Sequence, residues 1–334
     1  MSKLILNTFQ NIKNNKIPIW FMRQAGRYLP EYKEIRNRNK NFIEFCLNIN
    51  DATTVTIQPI DRFDLDAAIM FSDILLINYA SGQKVDFIEK EGPVLEEINE
   101  GKFLNTNSEE FLNKLKNVYE IIKNTKTKLK ADKTLYGFAG APWTLYVYLR
   151  NLKSPKKQLN LDNLKNDGKI LDFLTHLIIL HCKEQIKAGA DIIQIFDSWA
   201  GLIPENEFKE ICINLNKQIK TELKKFSPST PVIFFPKGIK NKVNNFIDLV
   251  NPDGISIDYE TNLNSIQKRK GIVFQGGMNP DALFLEDNPM KKEAEKYLNF
   301  FDDCNYIFNL GHGISQFTKP EKVEELVKFV RSYR

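Results

Sequence analysis

Short runs of β-branched and aromatic residues recur along the chain, each followed by a longer stretch in which apolar residues return every three or four positions. Eight such runs are readable, at 17–22, 67–71, 134–139, 191–196, 231–235, 254–257, 272–275 and 306–309. Helical periodicity is expected at 109–123, 168–188, 205–225, 239–250, 290–301 and 320–333, the last opening on Thr318 and Pro320 as start signals. Strand then helix, repeated, predicts a parallel sheet. Eight repeats in 334 residues, with no composition shift and no Ser/Gly-rich linker, predict a single (β/α)8 TIM barrel over 1–334 rather than an open doubly wound sheet. Segment 85–103 breaks the pattern and reads as a strand-rich insertion, with a hairpin around 91–93.

Directly after the predicted strands come Arg23-Gln24, Ser72-Asp73, Gly140-Ala141-Pro142-Trp143, Asp197-Ser198, Pro236-Lys237-Gly238, Asp258-Tyr259, Gly276-Gly277 and Gly311-His312-Gly313. A barrel gathers all these ends on one face, where a ligand site is expected. Turn and cap preferences explain many of the Asp, Ser and Gly residues, but not the Arg, His and Tyr. Arg23 and Arg27 lie four apart, which on a helical turn would set two guanidinium forks on one face to clamp carboxylates or phosphates; surface pairing with Glu31 or Glu34 is the other reading. Gly26 between them lets backbone approach closely. Asp73 ends an apolar strand, either as an anion at the mouth of a dry cavity or as a cap for 74–77. Tyr148 fits a core aromatic by itself, and Ser198 fits a turn cap as well as a ligand donor. His312, flanked by glycines, is expected to hydrogen-bond or titrate near neutrality. His176 and His181, on an apolar helix, read as structural.

Composition narrows the classes. Hydrophobic residues at 42% and charged residues at 27% are globular values, and no apolar run approaches the roughly 18 residues of a membrane span. Residues 1–16 carry no signal-peptide pattern, and four scattered cysteines without a CxxC pair suggest neither zinc knuckle nor disulfide framework, so a cytoplasmic protein is expected. A net charge of +5 suits an anionic small molecule and is no signature of nucleic acid. Three histidines, so placed, argue against a His-based metal site. No GxxxxGK[ST], GxGxxG or GxSxG motif occurs.

Five longer motifs carry a family resemblance: Met22-Arg23-Gln24-Ala25-Gly26-Arg27-Tyr28-Leu29-Pro30, Phe71-Ser72-Asp73-Ile74-Leu75, Gly137-Phe138-Ala139-Gly140-Ala141-Pro142-Trp143-Thr144-Leu145, Gln194-Ile195-Phe196-Asp197-Ser198-Trp199-Ala200-Gly201 and Phe308-Asn309-Leu310-Gly311-His312-Gly313. With these, nearly end to end, the chain resembles the uroporphyrinogen decarboxylases of haem biosynthesis. The resemblance implies removal of carbon dioxide from the four acetate arms of uroporphyrinogen III, giving coproporphyrinogen III, on a (β/α)8 barrel. It implies no metal or organic cofactor and a homodimer with facing clefts. Carried over by position, it implies substrate contacts from Arg23, Gln24, Ala25, Gly26, Arg27, Asp73, Tyr148, Ser198 and His312, with Asp73, Arg27 and Arg23 closest to the chemistry. Gln275-Gly276-Gly277-Met278-Asn279-Pro280 and Ser315-Gln316-Phe317 depart from the family's usual residues at the cleft rim. A zinc-dependent methyltransferase of the same barrel superfamily would need a His and Cys cluster, and Cys304 and His312 form no HxC pair. A non-catalytic tetrapyrrole carrier would have little use for an anion at an apolar strand end.

Overall fold

The computed structural model describes residues 3–88, 92–152, 161 and 164–333. Seven strands pair in parallel and in chain order: β1 (Ala67–Ile69), β4 (Thr134–Gly140), β5 (Ile192–Asp197), β6 (Val232–Pro236), β7 (Gly254–Ile257), β8 (Val273–Gly276) and β9 (Tyr306–Ile307). They are short, apolar and buried along almost their whole length, as expected of strands covered on both faces.

The first predicted strand, 17–22, closes the ring in an unusual way. Ile19 pairs in parallel with Phe308, and the Asp66 amide donates to the Ile19 carbonyl at 2.9 Å, joining the β9 edge to the β1 edge. Beyond Trp20, whose N–H donates to the Phe308 carbonyl at 3.3 Å, side-chain amides join the seam. Gln24 Oε1 accepts the Phe21 N–H at 3.0 Å while its Nε2 donates to the Ala67 carbonyl at 2.9 Å, and Asn309 Oδ1 accepts the Met22 N–H at 3.0 Å. At the opposite end of the seam, Asp66 accepts the Ile19 N–H at 2.8 Å and a two-pronged pair from Arg331 at 2.7 and 2.8 Å, tying helix Pro320–Ser332 to both edge strands. With this seam the fold is a (β/α)8 barrel, and one apolar core runs from Ile5 to Val330.

Helix Gly168–Ala188 has its expected bounds. The stretch 205–225 is instead a 3-10 turn, a π-helical segment Phe208–Asn214 and helix Leu215–Phe226, and 109–123 divides at Leu115 into Ser108–Lys114 and Lys116–Lys128. Three helices in the first crossover, Pro30–Arg38, Phe42–Leu47 and Ile49–Phe63, are additional to the predicted set. Their apolar repeat is cut by asparagines that act as caps: Asn41 Oδ1 accepts the Ile43 and Glu44 amides, and Asn48 accepts that of Asp51. The 85–103 insertion contains an antiparallel hairpin, β2 (Val85–Ile88) with β3 (Gly92–Leu95), followed by helix Glu100–Leu104. Part of the expected turn around 91–93, Glu91, lies outside the described residues.

Asp66→Ala would leave the Arg331 guanidinium without its anion and the Ile19 N–H without its acceptor. A loss of about 3 to 5 kcal/mol of stability is expected, measured by urea unfolding.

Candidate active site

Below the mouth of the barrel, side-chain hydrogen bonds run between strands, two of them across the interior between strands that are not neighbours. Gln275 Nε2 on β8 donates to Ser256 Oγ on β7 at 2.8 Å and to Gln194 Oε1 on β5 at 3.1 Å, and its Oε1 accepts the Trp20 indole N–H at 2.9 Å. One step nearer the mouth, the layer turns aromatic: Phe138 on β4 meets Phe196 on β5, and Phe196 meets Phe235 on β6, with centroids 5.7 and 6.3 Å apart. This makes an apolar floor on which a flat ring could lie.

Asp73 lies four residues beyond β1, the strand that pairs with the Phe138-bearing β4. Oδ1 accepts the Leu75 N–H at 2.8 Å, so Asp73 does cap the following turn, while Oδ2 receives no hydrogen bond from any described residue. Around the strand end cluster Tyr32, Phe42, Phe45 and Phe87, three of them within 6.1 Å of the Phe71 ring, with Phe87 brought by the hairpin. Burial among these groups raises the Asp73 pKa to about 6; the Leu75 N–H and the Arg23 charge oppose it. At neutral pH the carboxyl is therefore mainly ionised, at a cost.

Arg23 is the cation nearest this anion. It acts electrostatically on Asp73, Tyr148 and His312, groups carried by the segments after three strand ends that a barrel gathers around the hollow at its mouth. The expected helical turn at 23–27 is absent: Arg23 adopts a left-handed φ of 62°, the loop stays irregular, and the helix starts only at Pro30. That conformation costs about 1 to 2 kcal/mol in a non-glycine residue, and it turns the guanidinium from the helical direction toward the mouth. Gly313 makes room for it, since a Cβ there would strike Arg23 Cγ and Cδ. Arg23 and Arg27 are both exposed, and the Arg27 charge is felt at Tyr32. Neither arginine forms an ion pair among the described residues; Glu31 pairs with Arg62.

The other expected contacts divide. Ala25 and Gly26 are half-buried in the same loop. The Gln24 side chain does not face the hollow: it is fully buried, with both amide atoms spent on the seam. Tyr148 is half-buried rather than core, its ring 6.2 Å from Trp199; burial first, and then the Asp73 charge, raises its pKa. The Ser198 hydroxyl makes no hydrogen bond among the described residues. His312 does not titrate near neutrality. Burial, then the charges of Arg23 and Lys237, lowers its pKa to about 4, so the ring is neutral and can both donate and accept.

Sequence reasoning places Asp197 and Lys237 among the strand-end residues without singling either out as a site residue. Asp197 is fully buried and bound to Thr144 Oγ1 at 2.6 Å, and burial raises its pKa to about 7; its place at an apolar strand end was the available signal. Lys237 follows β6 with no acidic residue beside it in sequence.

Over residues 1–333 the chain matches the uroporphyrinogen decarboxylase family. The chain belongs to that family. A uroporphyrinogen decarboxylase from Rickettsia felis is 42% identical over 99% of this chain and 97% of its own, and one from Rickettsia bellii is 43% identical over 96% of each. Among solved structures, a methyltransferase from Methanosarcina mazei superposes with a TM-score of 0.79, covering 99% of this chain and 98% of its own, at 16% identity. A putative vitamin-B12 independent methionine synthase from Listeria monocytogenes reaches 0.56 at 13% identity over 95% of each chain. These two likenesses show a shared barrel and nothing of chemistry. Among the described residues no group of three or more His, Cys, Asp or Glu is placed to hold a metal ion.

An unfolded Asp ionises near 3.9, whereas folded Asp73 does so at about 6, so its ionisation costs the fold nothing below about pH 4 and the full amount above about pH 6. Asp73→Asn is expected to be more stable than the parent at pH 8, by up to about 3 kcal/mol, and to converge with it near pH 4. Urea titrations at both pH values check this; a difference that does not grow with pH contradicts it.

Proposed function

We propose that this hollow is where the chain decarboxylates uroporphyrinogen, its family's activity, converting the four acetate arms of the III isomer to methyls and giving coproporphyrinogen III. The observation that carries the reading is Asp73 Oδ2, a carboxylate oxygen without a donor among the described residues, at a strand end of a barrel whose inner layer is aromatic and within range of the Arg23 charge. The macrocycle has a flat apolar body, pyrrole N–H donors at its centre and carboxylates around its edge. Floor, anion and cations match those three features in turn.

Loss of carbon dioxide leaves an electron pair on the arm's methylene carbon. A proton added to a ring carbon of the attached pyrrole makes the ring cationic. The breaking C–C bond then feeds its electrons into that ring, a proton completes the methyl group, and loss of the added proton restores the pyrrole. The substrate thus serves as its own electron sink. Asp73 accepts hydrogen bonds from the central N–H groups and stabilises the cationic ring in a site that is already oriented. Arg23 pairs with a carboxylate arm, with Arg27 reaching arms nearer the rim. Tyr148, Ser198 and neutral His312 position further arms by hydrogen bonds.

The reading extends to assembly. Leu202, Tyr259, Phe284, Leu285 and Phe317, between 36% and 76% exposed, stand on loops that follow β5, β7, β8 and β9. An apolar rim around the mouth supports a homodimer with facing clefts, each chain contributing one barrel domain. No described helix is long and apolar enough to cross a membrane, and we place the enzyme in the cytoplasm.

Incubated with anaerobically reduced uroporphyrinogen, the protein is expected to yield products with seven down to four carboxylates. Asp73→Asn should lose turnover by about 100-fold or more while remaining folded. An Asp73→Asn enzyme with parental turnover refutes the role given to this carboxylate.

A further inference from the structure

Lys237 is a half-buried lysine whose ammonium meets no carboxylate among the described residues. Most other half-buried lysines, Lys126, Lys183, Lys224, Lys242, Lys291 and Lys322, end on an Asp or Glu; Lys220, on helix Leu215–Phe226 away from the strand ends, shares the lack of an acidic partner among the described residues. Leaving such a cation unpaired within the fold costs free energy that an anionic ligand would recover.

Its backbone is held on every side. The Lys237 N–H donates to the Asp197 carbonyl at 3.0 Å, the Lys237 carbonyl accepts the Gly201 N–H at 2.9 Å, and the next amide, of Gly238, donates to Asp258 Oδ2 at 2.6 Å. Gly201 and Gly238 touch so closely that a Cβ on Gly201 would lie 2.8 Å from the Gly238 carbonyl oxygen. A flexible side chain therefore springs from a fixed point.

That point lies across the mouth from the arginines. Counted around the ring from the strand at Ile19, β6 is the fifth of the eight, so Lys237 is diametrically opposite the strand that delivers Arg23. From there its charge acts on the His312 ring beyond the eighth strand. An octacarboxylate lying on the floor presents carboxylates in all directions, and Arg23 and Arg27 serve only one side.

We propose that Lys237 is a further substrate-binding residue, an ion-pair partner for a carboxylate arm on the side of the macrocycle remote from Arg23. The assignment rests on the cleft being the site of decarboxylation. Lys237 fixes the far edge of the ring, so that an arm near Arg23 and Asp73 cannot swing away as the ring is turned for successive losses. It moves no proton and breaks no bond.

Steady-state kinetics of Lys237→Gln and Lys237→Arg on reduced uroporphyrinogen, beside Asp73→Asn, test this. Lys237→Gln is expected to raise KM about tenfold with kcat within about threefold of the parent, the mark of lost uniform binding. Lys237→Arg, which keeps the charge, should recover most of the affinity. Since the Lys237 side chain makes no hydrogen bond among the described residues, neither change removes a hydrogen bond of the fold. A parental KM in Lys237→Gln overturns the proposal, as does a loss that Lys237→Arg does not repair. If those results come with an inactive Asp73→Asn, Lys237 alone is misassigned; an active Asp73→Asn brings down the cleft reading beneath it.

Discussion

A carboxylate kept ionised where water is scarce costs free energy, and the arrangement around Asp73 follows from that cost. Its strand ends in a nest of aromatic rings, which raises the pKa to about 6, and one backbone amide together with the Arg23 charge offsets only part of the effect. Were the group needed only as a cap, an asparagine would serve the Leu75 amide without the penalty. The retained charge makes sense if a ligand supplies the missing donors. Each pyrrole N–H aimed at Oδ2 then returns some of the desolvation energy, and a ring that becomes cationic returns more.

Around that anion the barrel works as a frame that holds its strand ends still. The seam at 17–24 is completed by Gln24 and Asn309 side chains, so the loop carrying Arg23 leaves the ring from a rigid root. On the far side, the contact between Gly201 and Gly238 fixes the end of β6 just as firmly. On the proposed reading, the backbone that carries the ligand-binding side chains is thereby set before the ligand arrives, and binding energy is not spent on ordering it.

The strands are legible in the sequence because a strand buried on both faces is a continuous apolar run bounded by turn residues, and β4 to β9 obey that rule. The first crossover is not, because Asn41 and Asn48 divide what would be one periodic signal into pieces shorter than any window. Asp73 and Arg23 can be found from their position alone, polar residues at apolar strand ends. What position cannot convey is direction. Gln24 turns sideways into the seam, Arg23 adopts a left-handed backbone in place of a helical turn, and the His312 ring is kept neutral by burial and by the charges of two cations from distant strands. Each depends on contacts between residues far apart in the chain.

The central claim concerns the bond between ionised Asp73 and the N–H groups at the centre of the macrocycle. It is tested most directly by following the Asp73 carboxyl carbon by NMR against pH, in the free protein and with reduced coproporphyrinogen bound as a non-reacting ligand. The account predicts a midpoint near 6 in the free protein that falls by about one unit or more when the ligand is bound, because donors favour the charged form. A midpoint that stays in place, or rises, on binding would contradict it.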